Sequence, residues 1–180
     1  MRVSVDGTEI EVPGATTLGE LLEGIGPLID PTRLVTELVV DGRPADATDR
    51  PVLAAWRLNG AESVCVGTEA PEEFARRRRE EIGGHLARIA DLLAAVAQGF
   101  TRGLTVDANR VLAVAAQELG LVLELDQHLV QLAGGAPGCA RIVETVGRIG
   151  SRLNEAERDK RWDEVAQLLS EELVPALRAS

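Results

Sequence analysis

Residues 1–25 read MRVSVDGTEIEVPGATTLGELLEGI, and this stretch decides the class of the first half of the chain. Val3 and Val5 alternate with polar neighbours, Ile10 and Val12 alternate again, and Asp6-Gly7 separates the two runs. Asp-Gly tolerates the positive φ that both central residues of a type I′ turn require, so the spacing predicts a β-hairpin. Pro13-Gly14 ends its second strand. Thr17 then stands three residues before Glu20, the spacing of a capping box, and Leu18, Leu21, Leu22 and Ile25 follow at helical intervals. Pro27 and Pro31 stop that helix.

Outward from this stretch, Leu34 to Val40 has β-branched, strand-like composition and closes on Asp41-Gly42. After a segment rich in Pro and Asp, Trp56-Arg57-Leu58 and Val64-Cys65-Val66 flank the turn residues Asn59-Gly60-Ala61. The expected order is strand, strand, helix, strand, then one or two short strands. With the Met1–Val12 hairpin, Thr17-Leu18-Gly19-Glu20-Leu21-Leu22 and Leu38-Val39-Val40-Asp41-Gly42, residues 1–70 resemble the β-grasp (ubiquitin-like) fold, in particular the bacterial sulfur-carrier branch. Carriers end in a free Gly-Gly whose carboxylate is activated as an adenylate. Here Val66-Gly67-Thr68-Glu69 runs on into a second domain, residues 71–180.

From Pro71 the apolar period becomes that of helices. The first, about 72–103, carries Phe74, Ile82, Leu86, Ile89, Leu92, Leu93, Val96 and Phe100 on one stripe. A second, about 107–133, carries Val111, Ala115, Leu119, Val122, Leu125, Leu129 and Leu132, and Gly134-Gly135-Ala136-Pro137-Gly138 ends it. A third, about 139–159, uses Ile142, Val146, Ile149 and Leu153. The fourth, about 161–178, uses Trp162, Val165, Leu169, Leu173 and Ala176, with a kink or frayed end expected at Pro175. Short connections predict an antiparallel bundle of three or four helices, and the whole chain is read as α+β. Arg152-Leu153-Asn154-Glu155-Ala156-Glu157, Trp162-Asp163-Glu164-Val165 and Leu168-Leu169-Ser170-Glu171-Glu172-Leu173 resemble the flagellin export chaperone family. That resemblance implies binding of an unfolded partner segment along helical grooves.

Composition narrows the function classes. At 45% hydrophobic and 27% charged residues, the 180-residue chain has the balance of a folded protein, of a size for one medium domain or two small ones. The net charge is −10, which argues against nucleic-acid binding, and 2% aromatics leave almost nothing for base stacking. The charge is uneven: residues 1–70 hold 12 acids and 5 bases, residues 71–180 hold 17 and 14. The opening residues carry an acid at position 6 and no apolar core, so no secretory signal is expected. Uncharged runs are too short to span a bilayer, and Cys65 and Cys139 are far apart with no CxxC partner. The expectation is a soluble cytoplasmic protein with free thiols.

Few residues suggest chemistry. Glu81 precedes His85 by four residues and Glu124 precedes His128 likewise, but the dimetal bundle motif spaces Glu and His by three. His85 falls beside Ile82, Ile89 and Leu92, and Asp126 lies among Leu119, Val122 and Leu129. A buried carboxylate needs a partner, so Asp126 is expected to pair with His85 or with Arg78, Arg88 or Arg148. Gly83-Gly84 interrupts the first helical stripe and predicts a hinge or a close helix contact. Arg76–Arg79 are bracketed by Glu72-Glu73 and Glu80-Glu81, so i, i+4 ion pairs such as Glu72–Arg76, Glu73–Arg77 and Arg77–Glu81 are expected to neutralise the run. No G-x-S-x-G, Walker A, G-x-G-x-x-G or H-E-x-x-H pattern occurs.

The expected function is therefore non-catalytic: a protein-binding adaptor or chaperone-like protein without catalytic, cofactor or metal residues. It would bind by strand addition at a sheet edge or by a helix entering a groove. The expected partner is another protein or peptide, a basic one suiting the acidic first half, with no nucleic acid and no membrane; a homodimer is one form such pairing takes. The competing class is a relative of the sulfur-carrier pathway or a helical-bundle metalloprotein.

Overall fold

The computed structural model describes residues 1–12, 14–60 and 62–179 of the chain. Pro13, Ala61 and Ser180 lie outside them, and with them the expected strand stop at Pro13 and one residue of the Asn59-Gly60-Ala61 turn. The chain is α+β and divides into two compact units, Met1–Phe74 and Ala75–Ser180.

In the first unit, β1 (Arg2–Val5) and β2 (Thr8–Ile10) form the hairpin, with Asp6 and Gly7 at φ 50° and 78°. Thr17 caps α1 (Leu18–Ile25): its hydroxyl accepts from the Glu20 amide at 3.2 Å. The Glu20 carboxylate accepts from the Thr16 and Thr17 amides at 2.8 and 3.3 Å. β3 (Leu34–Val40) turns through Asp41-Gly42, again at positive φ, into the two-residue β4 (Arg43–Pro44). β5 (Ser63–Glu69) runs parallel to β1 and antiparallel to β3. The result is one mixed sheet of order β2-β1-β5-β3-β4. Val3, Val64, Val66, Leu38 and Val40 of the sheet pack with Leu18, Leu21 and Ile25 of α1 to make its core, and Trp56 packs against it.

Two features differ from expectation. Residues 50–55 are a helix, α2 (Arg50–Ala55), begun by Asp49, whose carboxylate accepts from the Val52 amide at 3.1 Å. Asp49 followed by Pro51 is an N-cap with a proline in the first turn, a start signal hidden by the short length of the helix. The expected strand at Trp56–Leu58 is only a single bridge, Arg57 opposite Thr17.

The second unit is helical. Its elements are α3 (Pro71–Thr101), α4 (Thr105–Ala133), α5 (Ala140–Arg158) and α6 (Trp162–Leu168), which continues through a π-helical stretch, Leu169–Leu173, into α7 (Val174–Arg178). The disturbance expected at Pro175 takes that form. Proline donates no hydrogen bond and its ring crowds the carbonyl four residues back, here Glu171, and the wider π turn falls over that position. Phe100 and Trp162 stack face to face, ring centroids 5.1 Å apart at 5°. No helix formed by the described residues is long and apolar enough to cross a membrane.

The first unit's acids serve its backbone. Asp6 accepts from the Thr68 amide and hydroxyl at 2.7 and 2.6 Å, and Arg33 donates to the same threonine. Those hydrogen bonds from Thr68, with the nearby Arg33 guanidinium, hold the Asp6 carboxyl below its usual range. Thr16 and Thr17 act similarly on Glu20, Thr32 on Asp30, and Thr48 on Asp46. A carboxyl whose pKa is depressed on folding stabilises the fold above its unfolded value and loses that contribution as pH falls through the folded one. Unfolding free energy, followed by urea denaturation across the acid range, should therefore fall below the unfolded aspartate value of 3.8. Asp6→Asn, which tolerates the same positive φ, should make that fall shallower; an unchanged acid limb would show that Asp6 has no part in it.

Candidate functional site

Helix α4 carries Asp126 and one wall of an apolar cleft. Ala108, Leu112, Ala115, Leu119, Val122, Asp126 and Leu129 form its buried face, repeating at alternating steps of four and three. Leu125 and Leu132, expected in the core, are exposed; Leu112 and Ala108 are buried instead. The helix carries more aliphatic residues than one buried face can hold, and the surplus emerges on both flanks.

Asp126 is 2% exposed, but it does not meet His85. Its two oxygens accept from the backbone amides of Gly138 and Cys139, at 3.1 and 2.9 Å. Cys139 is the N-cap of α5 and supplies no side-chain cap of its own. The first amides of a helix have no intrahelical acceptor, and a carboxylate there also meets the positive end of the helix dipole. The pairing expected with His85 or an arginine is therefore replaced by a cap borrowed from the preceding helix. Gly138 permits the approach, since a Cβ there would lie 3.3 Å from the carboxylate. The sequence signal was the absence of Ser, Thr, Asp or Asn at the head of α5, with an acid on an apolar face 13 residues upstream. Burial and the Asp126 charge push the Cys139 thiol up to about 11, so it stays protonated at neutral pH. Cys65, by contrast, is exposed.

His85 is exposed, because Ile82, Leu86, Ile89 and Leu93 take the buried face of α3 and leave it on the flank. Its Nδ1 contacts Arg88. Glu81 turns the other way and accepts from Arg78 at 2.6 Å, with Arg77 at 3.5 Å, as the expected Arg77–Glu81 pair requires. Arg79 donates to the Gly134 carbonyl at the end of α4. His128 and Glu124 are both exposed on α4. Among the described residues, no three His, Cys, Asp or Glu side chains converge as a metal-ligand set.

Gly83 and Gly84 make no close contact: a Cβ on either would meet nothing within 4 Å, and α3 runs through both without interruption. Close packing occurs instead at Gly99, where a Cβ would come within 3.2 Å of Ala108 Cβ across the α3–α4 turn. That turn is reached through Gly103 at φ 79°.

An apolar cleft of about 210 Å³ lies between α4 and α5, with Ala116, Gly120 and Leu123 on one wall and Val146, Gly150 and Leu153 on the other. Leu119, Ile149 and Leu169 line it more deeply. None of the lining residues is charged. Gly120 and Gly150 line the cleft and have open space where a side chain would stand. Sequence periodicity placed Leu119, Val146, Ile149, Leu153, Leu169 and Leu173 on their apolar stripes but does not show where facing stripes leave space. In the first unit, β4 pairs only with Val39 and Val40, so the outer edge of β3 from Leu34 to Glu37 has no strand beside it among the described residues.

No protein-family model, no curated protein and no solved structure matches the chain.

Removing the Asp126 carboxylate leaves the part-buried Gly138 amide and the buried Cys139 amide without their acceptor. Asp126→Ala should lower the unfolding free energy by about 2–4 kcal/mol, and Asp126→Asn, which keeps one acceptor oxygen, by roughly half of that. Urea titration checks this, and a loss near zero for alanine would mean the amides find other acceptors. Gly83→Ala and Gly84→Ala should each stabilise the protein by about 0.5–1 kcal/mol, because helix propensity improves and nothing is displaced. A lowered melting temperature for either variant would overturn that reading.

Proposed function

We propose that the chain is a non-catalytic, chaperone-like adaptor that holds an aliphatic helical segment of another protein in the cleft between α4 and α5. One observation carries this reading: a cleft lined by uncharged, mostly aliphatic residues, with open space over Gly120 and Gly150. An apolar surface left open to water costs free energy unless it is covered, and an amphipathic helix laying its apolar face in a groove is a common way to cover it. The occupant is aliphatic and uncharged where it enters, because a buried charge would find no partner among the lining residues. Short connections at 102–104, 134–139 and 159–161 support an antiparallel bundle as the scaffold.

The first unit is read as a β-grasp module. The order β2-β1-β5-β3-β4, the parallel β1–β5 pair between two hairpins, and α1 packed on the sheet support that reading. Its acid excess does not by itself call for a basic partner. Asp6, Glu20, Asp30, Asp41, Asp46, Asp49 and Glu62 each accept a backbone N–H at a turn, a cap or a strand end.

A photo-crosslinking amino acid at position 120, introduced into the full chain in its source cell, identifies what enters the cleft. The captured segment, made as a synthetic peptide, should be helical and aliphatic on one face. Gly120→Leu fills the cleft while improving helix propensity, so it should keep the fold and weaken binding of that peptide about tenfold or more. Binding unaffected by Gly120→Leu would overturn the proposal.

A further inference from the structure

Helix α4 has a second apolar face, on the flank away from the cleft. Val114, Leu121, Leu125 and Leu132 are 49%, 60%, 40% and 41% exposed. With Glu118 and His128, also exposed, they form a ladder with alternating steps of four and three, the spacing of a coiled-coil seam. The ladder spans about 27 Å of helix. None of its members packs in the core of its own unit.

The spacing of the ladder and its pattern of apolar and polar positions read the same in both directions. Leu121 and Leu125, Glu118 and His128, and Val114 and Leu132 are three pairs, each centred on position 123. Two copies of α4 laid antiparallel about a two-fold axis at that level bring Leu121 against Leu125, Glu118 against His128 and Val114 against Leu132, and every contact occurs twice. That is the defining property of an isologous interface: if one residue meets a second across the axis, the second meets the first. The polar pair is complementary, an imidazole N–H facing a carboxylate, where any other antiparallel register sets Glu118 or His128 against an aliphatic residue. A parallel pairing stacks Glu118 on Glu118 and His128 on His128.

We infer that this face of α4 is a homodimer interface, occupied by the α4 of a second copy running antiparallel. A heterologous partner would place no such symmetry on the sequence. The α3–α4 groove beside Leu121 and Leu125, about 340 Å³, gives the seam a concave margin. The pairing does not depend on the α4–α5 cleft, which opens on the opposite flank of the helix.

Sedimentation of the full chain should give a species at twice the 19.2 kDa chain mass. Leu121→Glu combined with Leu125→Glu alters only exposed positions, so far-UV circular dichroism should be unchanged while the dimer dissociation constant rises about 100-fold or more. Glu118→Lys alone should weaken the dimer about tenfold, and adding His128→Glu should restore it, because the two exchanged charges again attract across the axis. A chain monomeric at about 100 µM would overturn the proposal. So would a dimer that survives the double glutamate variant, or a charge swap that fails to restore it. Gly120→Leu should leave the dimer intact, which separates failure here from failure of the cleft.

Discussion

One buried carboxylate ties the rotation of α4 about its own axis to the start of α5. Asp126 reaches the amides of Gly138 and Cys139 only if its side of the helix faces the start of α5. A turn of the helix by one residue, about 100°, would break both hydrogen bonds and expose the acid. The same setting sends Leu119, Val122 and Leu129 into the core. It leaves Ala116, Gly120 and Leu123 on the cleft side, and Val114, Leu121, Leu125 and Leu132 on the other. A cap at the start of one helix and the buried face of its neighbour are thus satisfied by the same rotation. The aliphatic residues alone could not decide it, because they occupy more than half the circumference.

What could be read in the sequence was whatever is settled within a few residues. Asp6-Gly7 is a hairpin because two adjacent backbones need positive φ, and Thr17 with Glu20 caps α1 because donor and acceptor are three residues apart. Helix ends in the second half were legible to within two residues for the same reason. Asp126 was legible as a buried acid and illegible in its partner, since a helical wheel ranks faces but does not name the atoms across from them. The wheel also overcounted, placing Leu125 and Leu132 in the core and His85 beside it. Glycine misled most. Gly83-Gly84 is conspicuous yet touches nothing, while single glycines at 99, 120, 138 and 150 shape contacts or space. A missing side chain has meaning only through its neighbours, and those are set by the fold.

The acidity of the first half also reads differently once its hydrogen bonds are traced. A unit with short strands and several tight turns leaves many amides without a ladder partner, and each needs an acceptor. Carboxylates supply them at seven places, from Asp6 in the hairpin turn to the buried Glu62, which takes the amides of Asn59 and Gly60. Much of the acid excess is thus a consequence of making a small sheet with little regular pairing. Charge in this unit is part of the fold before it is a signal to a partner.

The two outward faces of α4 differ in a way that fits two kinds of occupant. The outer ladder has large side chains, two polar rungs and internal symmetry, features that specify register and suit a partner identical to itself. The cleft is lined by aliphatic residues with no charge and no symmetry, so the occupant proposed for it would be selected by shape and aliphatic character with little demand on sequence. Because they lie on opposite flanks, neither occupant excludes the other. A two-fold pair of chains would carry two clefts at a fixed spacing, and a client with two aliphatic segments would then bind the second at high effective concentration. Weak, sequence-tolerant contacts in each cleft would become useful affinity through the symmetry that the outer ladder provides.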